Sequence, residues 1–352
     1  MYDTIYVEKN KSSRFCVYFY KDASQWVVFK DICGIKAKKI AVICSDTIEN
    51  EVWKTWCDAF PKEEIYKLTE TDDMKNSGIS EFISKRKEDY VFVVLSDSFV
   101  LDVLYQTLSV NESKISMVMV PVTPYSMFAG ISIRPLVNET GTVIRKEILP
   151  QAVYVDLSIL TKASPLQFLD GIASAFKLSI SYKASMFEWM ISNMYELTDG
   201  EEESVFELVQ RGFMVWKERI EKDTAKERSY LPYAEDFRYL LKSANNELSE
   251  ADLTSLALVC QTYLSWKKEL LSMEEFYEIR DMFVFFGLSI TQTFASVDEL
   301  LEVMSKKNLA LCCAEECVYI RKLGKLAVDT APTAELVKEA LEQIYFDEDA
   351  NE

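Results

Sequence analysis

Over roughly the first 156 residues, short apolar runs alternate with stretches of helical periodicity. Lys38–Asp46 reads as an apolar strand closing in a polar turn. Tyr90–Ser98 and Ile115–Pro121 repeat that texture, and helices are expected between them over Glu49–Phe60 and Gly78–Arg86. Nearly continuous apolar strands separated by helices predict a parallel sheet covered on both faces. Ligands on such sheets sit at the carboxyl ends of the strands, here Ser45-Asp46, Ser96-Asp97-Ser98 and Val122-Thr123.

After the strand Ala152–Asp156 the pattern changes to long amphipathic helices. Ser164 with Pro165 predicts a cap and first position for a helix carrying Phe168, Ile172 and Phe176. Ser272 with Glu275 opens another helix that Gly287 closes, and Ser296 with Glu299 repeats the box ahead of Leu300, Leu301 and Met304. Thr333 starts the last helix, and the acidic tail Asp347–Glu352 is expected to fray. The division expected is an α/β domain over 1–156 and a mainly helical domain over 157–352.

Composition narrows the chemistry. Hydrophobic residues at 49% and charged residues at 27% are globular, and no run approaches the roughly 20 apolar residues of a membrane span. With no signal-peptide pattern at Met1–Thr4, a cytoplasmic protein without membrane contact is the expectation. A net charge of −18 disfavours nucleic acid and anionic lipid, though it leaves room for a small phosphate in a local basic pocket. The eight cysteines are scattered, and Cys312-Cys313 with Cys317 lacks the paired spacing of a zinc site, so buried thiols are expected. Histidine is absent altogether, which removes Ser-His-Asp and Cys-His catalysis and the commonest ligand of catalytic zinc.

The order of several local strings resembles the 3-dehydroquinate synthase family and its sugar-phosphate cyclase relatives. Ile148–Asp156 is similar to the family's P-x-A-V-x-x-D, and Gly171–Lys177 to its G-x-A-E-x-x-K. Leu271 through Gly287-Leu288-Ser289 to Lys306-Lys307 resembles its helix, "GLP" turn and DKK segment. Glu316–Val328 followed by Thr333–Ile344 is similar to its closing hairpin and helix. The resemblance implies a Rossmann-like nucleotide-binding N-terminal domain, a helical metal and substrate domain, and a dimer. It also implies a zinc held by one glutamate and two histidines, NAD, and a phosphorylated seven-carbon sugar acid as substrate.

This chain departs from that pattern at both cofactor sites. The family's ligand glutamate falls on Ser174. Its L-N-x-G-H-T-x-G-H motif falls on Leu231–Tyr239, placing Glu235 at the ligand histidine and Tyr239 at the later one. The H-G-E-A-V motif falls on Leu248–Asp252, placing Leu248 at the remaining ligand. The family's G-G-G-x-x-x-D becomes Ser96-Asp97-Ser98-Phe99-Val100-Leu101-Asp102, so side chains fill the approach that glycine leaves open to a pyrophosphate. A later family aspartate falls on Ala129, and with nine glycines in the chain no other Gly-rich phosphate loop is found.

The expectation is therefore a non-catalytic protein on this fold, without zinc or NAD, acting by binding or assembly. Its partners would be a second copy or a related protein. Lys177, Arg134, Asn138, Lys217, Arg228 and Lys306 are candidates for a remnant anion or substrate pocket, each weighed against an ordinary solvated charge. The alternative is a divergent enzyme with altered cofactor use, in which a buried Lys177 does base or amine chemistry. A working 3-dehydroquinate synthase with unorthodox ligands ranks third.

Overall fold

The computed structural model describes residues 3–10, 13–35, 38–48, 54, 56, 62–69, 78–110, 115–129, 135–137, 143–145, 149–222, 233–294, 296–306 and 315–346. Two compact units emerge: Met1–Leu136 with Val143–Ser164 and Trp216–Tyr230, and Val137–Thr142 with Pro165–Val215 and Leu231–Glu352.

The first unit is built on β1 (Asp3–Asn10), β2 (Ser13–Tyr20), β3 (Lys39–Ser45), β4 (Ile65–Leu68), β5 (Tyr90–Ser96), β6 (Met117–Pro121) and β9 (Ala152–Asp156). They form one sheet in the order β1-β2-β9-β6-β5-β3-β4, parallel except for the β1–β2 hairpin. Ala41–Ser45, Val91–Ser96 and all of β6 and β9 are buried. Continuous apolar strands are what a sheet covered on both faces requires. The hairpin, which the sequence reading did not place, shows the other signature: in β1 the buried Ile5 and Val7 alternate with exposed neighbours, as on an edge with one solvated face. Short strands β7 (Pro135–Val137) and β8 (Val143–Arg145) form a separate two-stranded sheet among the described residues. The helices are α1 (Trp26–Ile32), α2 (Ile79–Ser84), α3 (Ser98–Val110), α4 (Pro124–Ala129) and α5 (Ser158–Lys162). Most of the helix expected over Glu49–Phe60 lies outside the described residues.

The second unit holds α6 (Pro165–Tyr182), α7 (Ala184–Ser192), α8 (Met194–Thr198), most of α9 (Glu202–Lys222), α10 (Glu235–Ala244), α11 (Glu250–Lys267), α12 (Met273–Phe285), α13 (Val297–Lys306), the hairpin β10 (Glu316–Lys322) and β11 (Lys325–Thr330), and α14 (Ala334–Glu342). Its axis is α11, in which every residue from Leu253 to Ser265 is buried, as expected of a helix packed on all sides. The polar residues this buries are satisfied: Gln261 Nε2 donates to Val318 O at 2.6 Å, Ser255 Oγ to Ser289 O at 2.7 Å, and Ser265 Oγ accepts from Ile320 N at 3.0 Å.

The expected helix ends are present. Ser272 and Glu275 make a reciprocal capping box, Gly287 closes that helix at φ 75, Ser296 Oγ accepts from Glu299 N, and Thr333 caps α14. Gly324, in the β10–β11 turn, is required twice over. Its φ is +74, and a Cβ there would meet the Ala184 backbone nitrogen at 2.4 Å. Among the described residues no helix is long and apolar enough to cross a membrane.

Candidate functional site

In the second unit, Asp170, Ser174 and Lys177 lie at i, i+4 and i+7 on α6 and so share one face. At one end of this stripe, Asp170 Oδ1 accepts from Ala251 N at 2.7 Å, fixing α6 to the first turn of α11. At the other end, Lys177 Nζ donates to Glu235 Oε1 at the first residue of α10. Ser174, 7% exposed, sits between these contacts. Leu248 is half-buried in the turn before α11, whose cap is Ser249. The stripe thus ties together the segments carrying the three positions where the family pattern has its zinc ligands.

Their chemistry is another matter. The three positions offer a hydroxyl, a carboxylate already bonded to an ammonium, and a hydrocarbon. A catalytic zinc takes three protein ligands from nitrogen, sulfur or carboxylate oxygen, and this set does not fit one. Among the described residues no three Cys, Asp or Glu side chains are grouped to hold a metal ion. Cys317 lies in β10, where burial raises its thiol pKa; Cys312 and Cys313 lie outside the described residues.

A residue the sequence reading passed over dominates this corner. Arg238, 9% exposed, stands one turn into α10 and bonds Glu250 Oε2 through Nη2, while Nη1 lies 3.9 Å from Glu235 Oε2. Lys177, Glu235, Arg238 and Glu250 therefore form a chain of alternating charge across three helices. The available signal was that Arg238 falls where the family motif has its second glycine. The motif's first glycine falls on Ala234, which keeps a left-handed backbone at φ 61. That conformation costs a residue with a Cβ about 1–2 kcal/mol and is otherwise glycine territory. Next to the chain, Asp170 is pushed up to about 6 by burial and by the charges of Glu250 and Asp252, against the opposing Ala251 hydrogen bond.

In the first unit, Ser96 ends β5 and is fully buried, and α3 begins at Ser98. Asp97 caps that helix, its Oδ1 accepting from Val100 N at 2.7 Å. A helix start here would otherwise offer N–H groups and a positive dipole end to an anion. A carboxylate of the chain itself now occupies it, which does not fit a pyrophosphate at the same place. Ala129 is the last residue of α4 and brings no carboxylate.

The remaining candidates are placed apart from this chemistry. Lys217 Nζ donates to Tyr6 O at 2.8 Å and pairs with Glu221, whose Oε1 accepts from Glu8 N at 3.0 Å. It fastens the end of α9 to the edge strand β1. Lys306 pairs with Glu302 at 2.6 Å, one turn away on the exposed face of α13. Arg134, Asn138 and Arg228 lie outside the described residues.

No family model matches the chain. Curated relatives that do match are 3-dehydroquinate synthases; that of Campylobacter concisus is 23% identical over 217 residues, 60% of this chain and 61% of its own length. The chain thus spans about three fifths of that relative. Among solved structures, a 2-deoxy-scyllo-inosose synthase superposes with TM-score 0.72 at 13% identity, covering 97% of this chain and 100% of the other. The 2-epi-5-epi-valiolone synthase of Streptomyces hygroscopicus, solved with NAD+ and Zn2+ bound, gives TM-score 0.68 at 12% identity, covering 96% and 98%. The fold, a Rossmann-like α/β domain followed by a helical one, is shared with these two synthases. The chain is thus similar, at low identity, to the 3-dehydroquinate synthase family.

Proposed function

We propose that this protein is a non-catalytic member of that family, acting by binding or assembly and not by cyclisation of a sugar phosphate. The observation that carries the reading is the Lys177–Glu235 pair: the one carboxylate left at the aligned metal positions is bonded to the chain's own ammonium, with Ser174 and Leu248 at the other two. The Asp97 cap supports the same reading for the nucleotide. On this reading the fold is retained for its surfaces, and the partner is a second copy or a related cyclase.

The test is the metal and nucleotide content of the natively purified protein, with thermal melts in added zinc and NAD. No stoichiometric zinc, no nucleotide and no shift are expected. A clear NAD-dependent rise in Tm, or bound zinc, would overturn the reading and make cyclase activity the next assay. Recovery of a cyclase partner from the native host would support assembly, and a single homogeneous monomer would count against it.

A second reading keeps an enzyme with different chemistry. The half-buried Lys177–Glu235 pair is a donor and acceptor at hydrogen-bond distance, as proton transfer requires. Turnover of any phosphorylated sugar that Lys177→Met abolishes would favour it.

A further inference from the structure

We infer that the Lys217–Glu221 ion pair guards the edge of the first unit's sheet: it stands in for a neighbouring strand and keeps β1 from pairing with the β1 of a second copy. The inference goes beyond the non-catalytic reading and rests on contacts that lie wholly within the first unit.

Among the described strands β1 ends the sheet order, with β2 antiparallel on one side. An edge strand presents a row of N–H and C=O groups to any strand that comes alongside. In β1 the C=O of Tyr6 and the N–H of Glu8, on either side of the buried Val7, turn to α9 and not to β2. A strand added opposite Val7, parallel or antiparallel, would bring one N–H to Tyr6 O and one C=O to Glu8 N. Two side chains of α9 supply those same groups. Lys217 Nζ donates to Tyr6 O at 2.8 Å, and Glu221 Oε1 accepts from Glu8 N at 3.0 Å. One helical turn apart, the two also bond each other, so donor and acceptor steady one another. Both are half-buried, where charge-assisted bonds are stronger than in open water.

The occupant kept out is a second copy, because this edge is complementary to itself. Antiparallel pairing of two β1 strands about Val7 would set Tyr6 O of each against Glu8 N of the other. It would also bring Tyr6 beside Glu8 across the strands. Within one chain Tyr6 Oη already donates to Glu8 Oε2 at 3.1 Å, so these side chains are compatible neighbours. The rest of the edge is shielded in the same sense. Thr4 N donates to Asp3 Oδ1 at 2.7 Å, and the β1–β2 register slips between Glu8 and Asn10.

The test compares the full-length protein with the double variant Lys217→Met, Glu221→Met, by hydrogen exchange over Asp3–Asn10 and by sedimentation across a concentration series. In wild type the Glu8 amide is expected to be protected, equally at low and high concentration. In the dilute double variant it should exchange roughly tenfold faster, the worth of about one hydrogen bond. At high concentration the variant should form a dimer in which that protection returns. Equal exchange in the two proteins, or a variant that stays monomeric throughout, would overturn the inference. A wild-type dimer whose Glu8 amide exchanges as in the monomer supports both the guard and the assembly reading. One that slows that exchange overturns the guard and not the assembly reading. Should the double variant fail to fold, Glu221→Ala leaves Lys217 on Tyr6 O and releases Glu8 N alone. Faster exchange at Glu8 is then expected, and unchanged exchange would refute the guard.

Discussion

The end of β5 in the first unit and the α6–α10–α11 corner in the second handle charge in opposite ways. At the first, a helix start that would attract an anion is closed by a carboxylate, Asp97, three residues from the N–H it accepts. At the second, Glu235 and Glu250 are paired with Lys177, 58 positions from Glu235, and with Arg238, 3 positions from Glu235 and 12 from Glu250. One substitution suffices for a helix cap, because the donor is supplied by the adjacent turn. The corner takes a network, because carboxylates on separate helices are satisfied together.

Four substitutions probe that contrast, taken from the largest effect down. Gly324→Ala sets the scale for breaking the second unit away from the corner. Its Cβ meets backbone on a left-handed residue, and a loss of about 3 kcal/mol is expected from chemical denaturation. A neutral result would mean that the β10–β11 turn is loosely held, and that the corner alone organises the unit.

Asp170→Asn tests the cost of an ionised carboxylate that is buried, and beside Glu250 and Asp252, at the corner. The Asp170 carboxyl is raised from 3.8 to about 6, so its ionisation is disfavoured in the folded state. Stability from this group is complete below pH 3.8 and is lost as pH rises to about 6. Asparagine can still accept from Ala251 without carrying charge. The variant should therefore be more stable than wild type above pH 6 by about 1–2 kcal/mol, allowing for partial exposure, with the gain vanishing toward pH 4. A gain independent of pH would remove electrostatics as the cause.

Asp97→Ala is the counterpart in the first unit. It should cost about 1 kcal/mol in chemical denaturation, the usual worth of a helix cap. A loss of about 3 kcal/mol or more would mean that Asp97 holds more than the start of its own helix. The smallest effect is Ala234→Gly, expected to stabilise by about 0.5–1 kcal/mol by relieving the left-handed backbone before Glu235. No gain would mean that glycine's extra freedom in the unfolded chain cancels the relief.

Much of this was legible from the chain. The strand runs at Lys39–Ser45, Tyr90–Ser96 and Met117–Pro121, the helix start at Pro165, and the caps at Ser272, Ser296 and Thr333 depend on neighbours within a few residues. Local hydrogen bonds and apolar periodicity leave a direct imprint on sequence. The opening hairpin was missed although its alternation at Ile5 and Val7 was available. Lys217 was a candidate for an anion pocket, yet it fastens Tyr6, 211 positions away; nothing near Lys217 in the chain announces that partner.

By itself the sequence determined which side chains are on offer: it holds no histidine, and it puts a hydroxyl at Ser174 and a hydrocarbon at Leu248. How those side chains are partnered was decided only by the tertiary structure. Glu235 could have been a lone ligand, a solvated helix start or half of an ion pair, and all three look alike in one dimension. Packing of α6 against α10 and α11 resolves it, because charge interactions depend on distance in space, and burial makes the nearest opposite charge the one that counts.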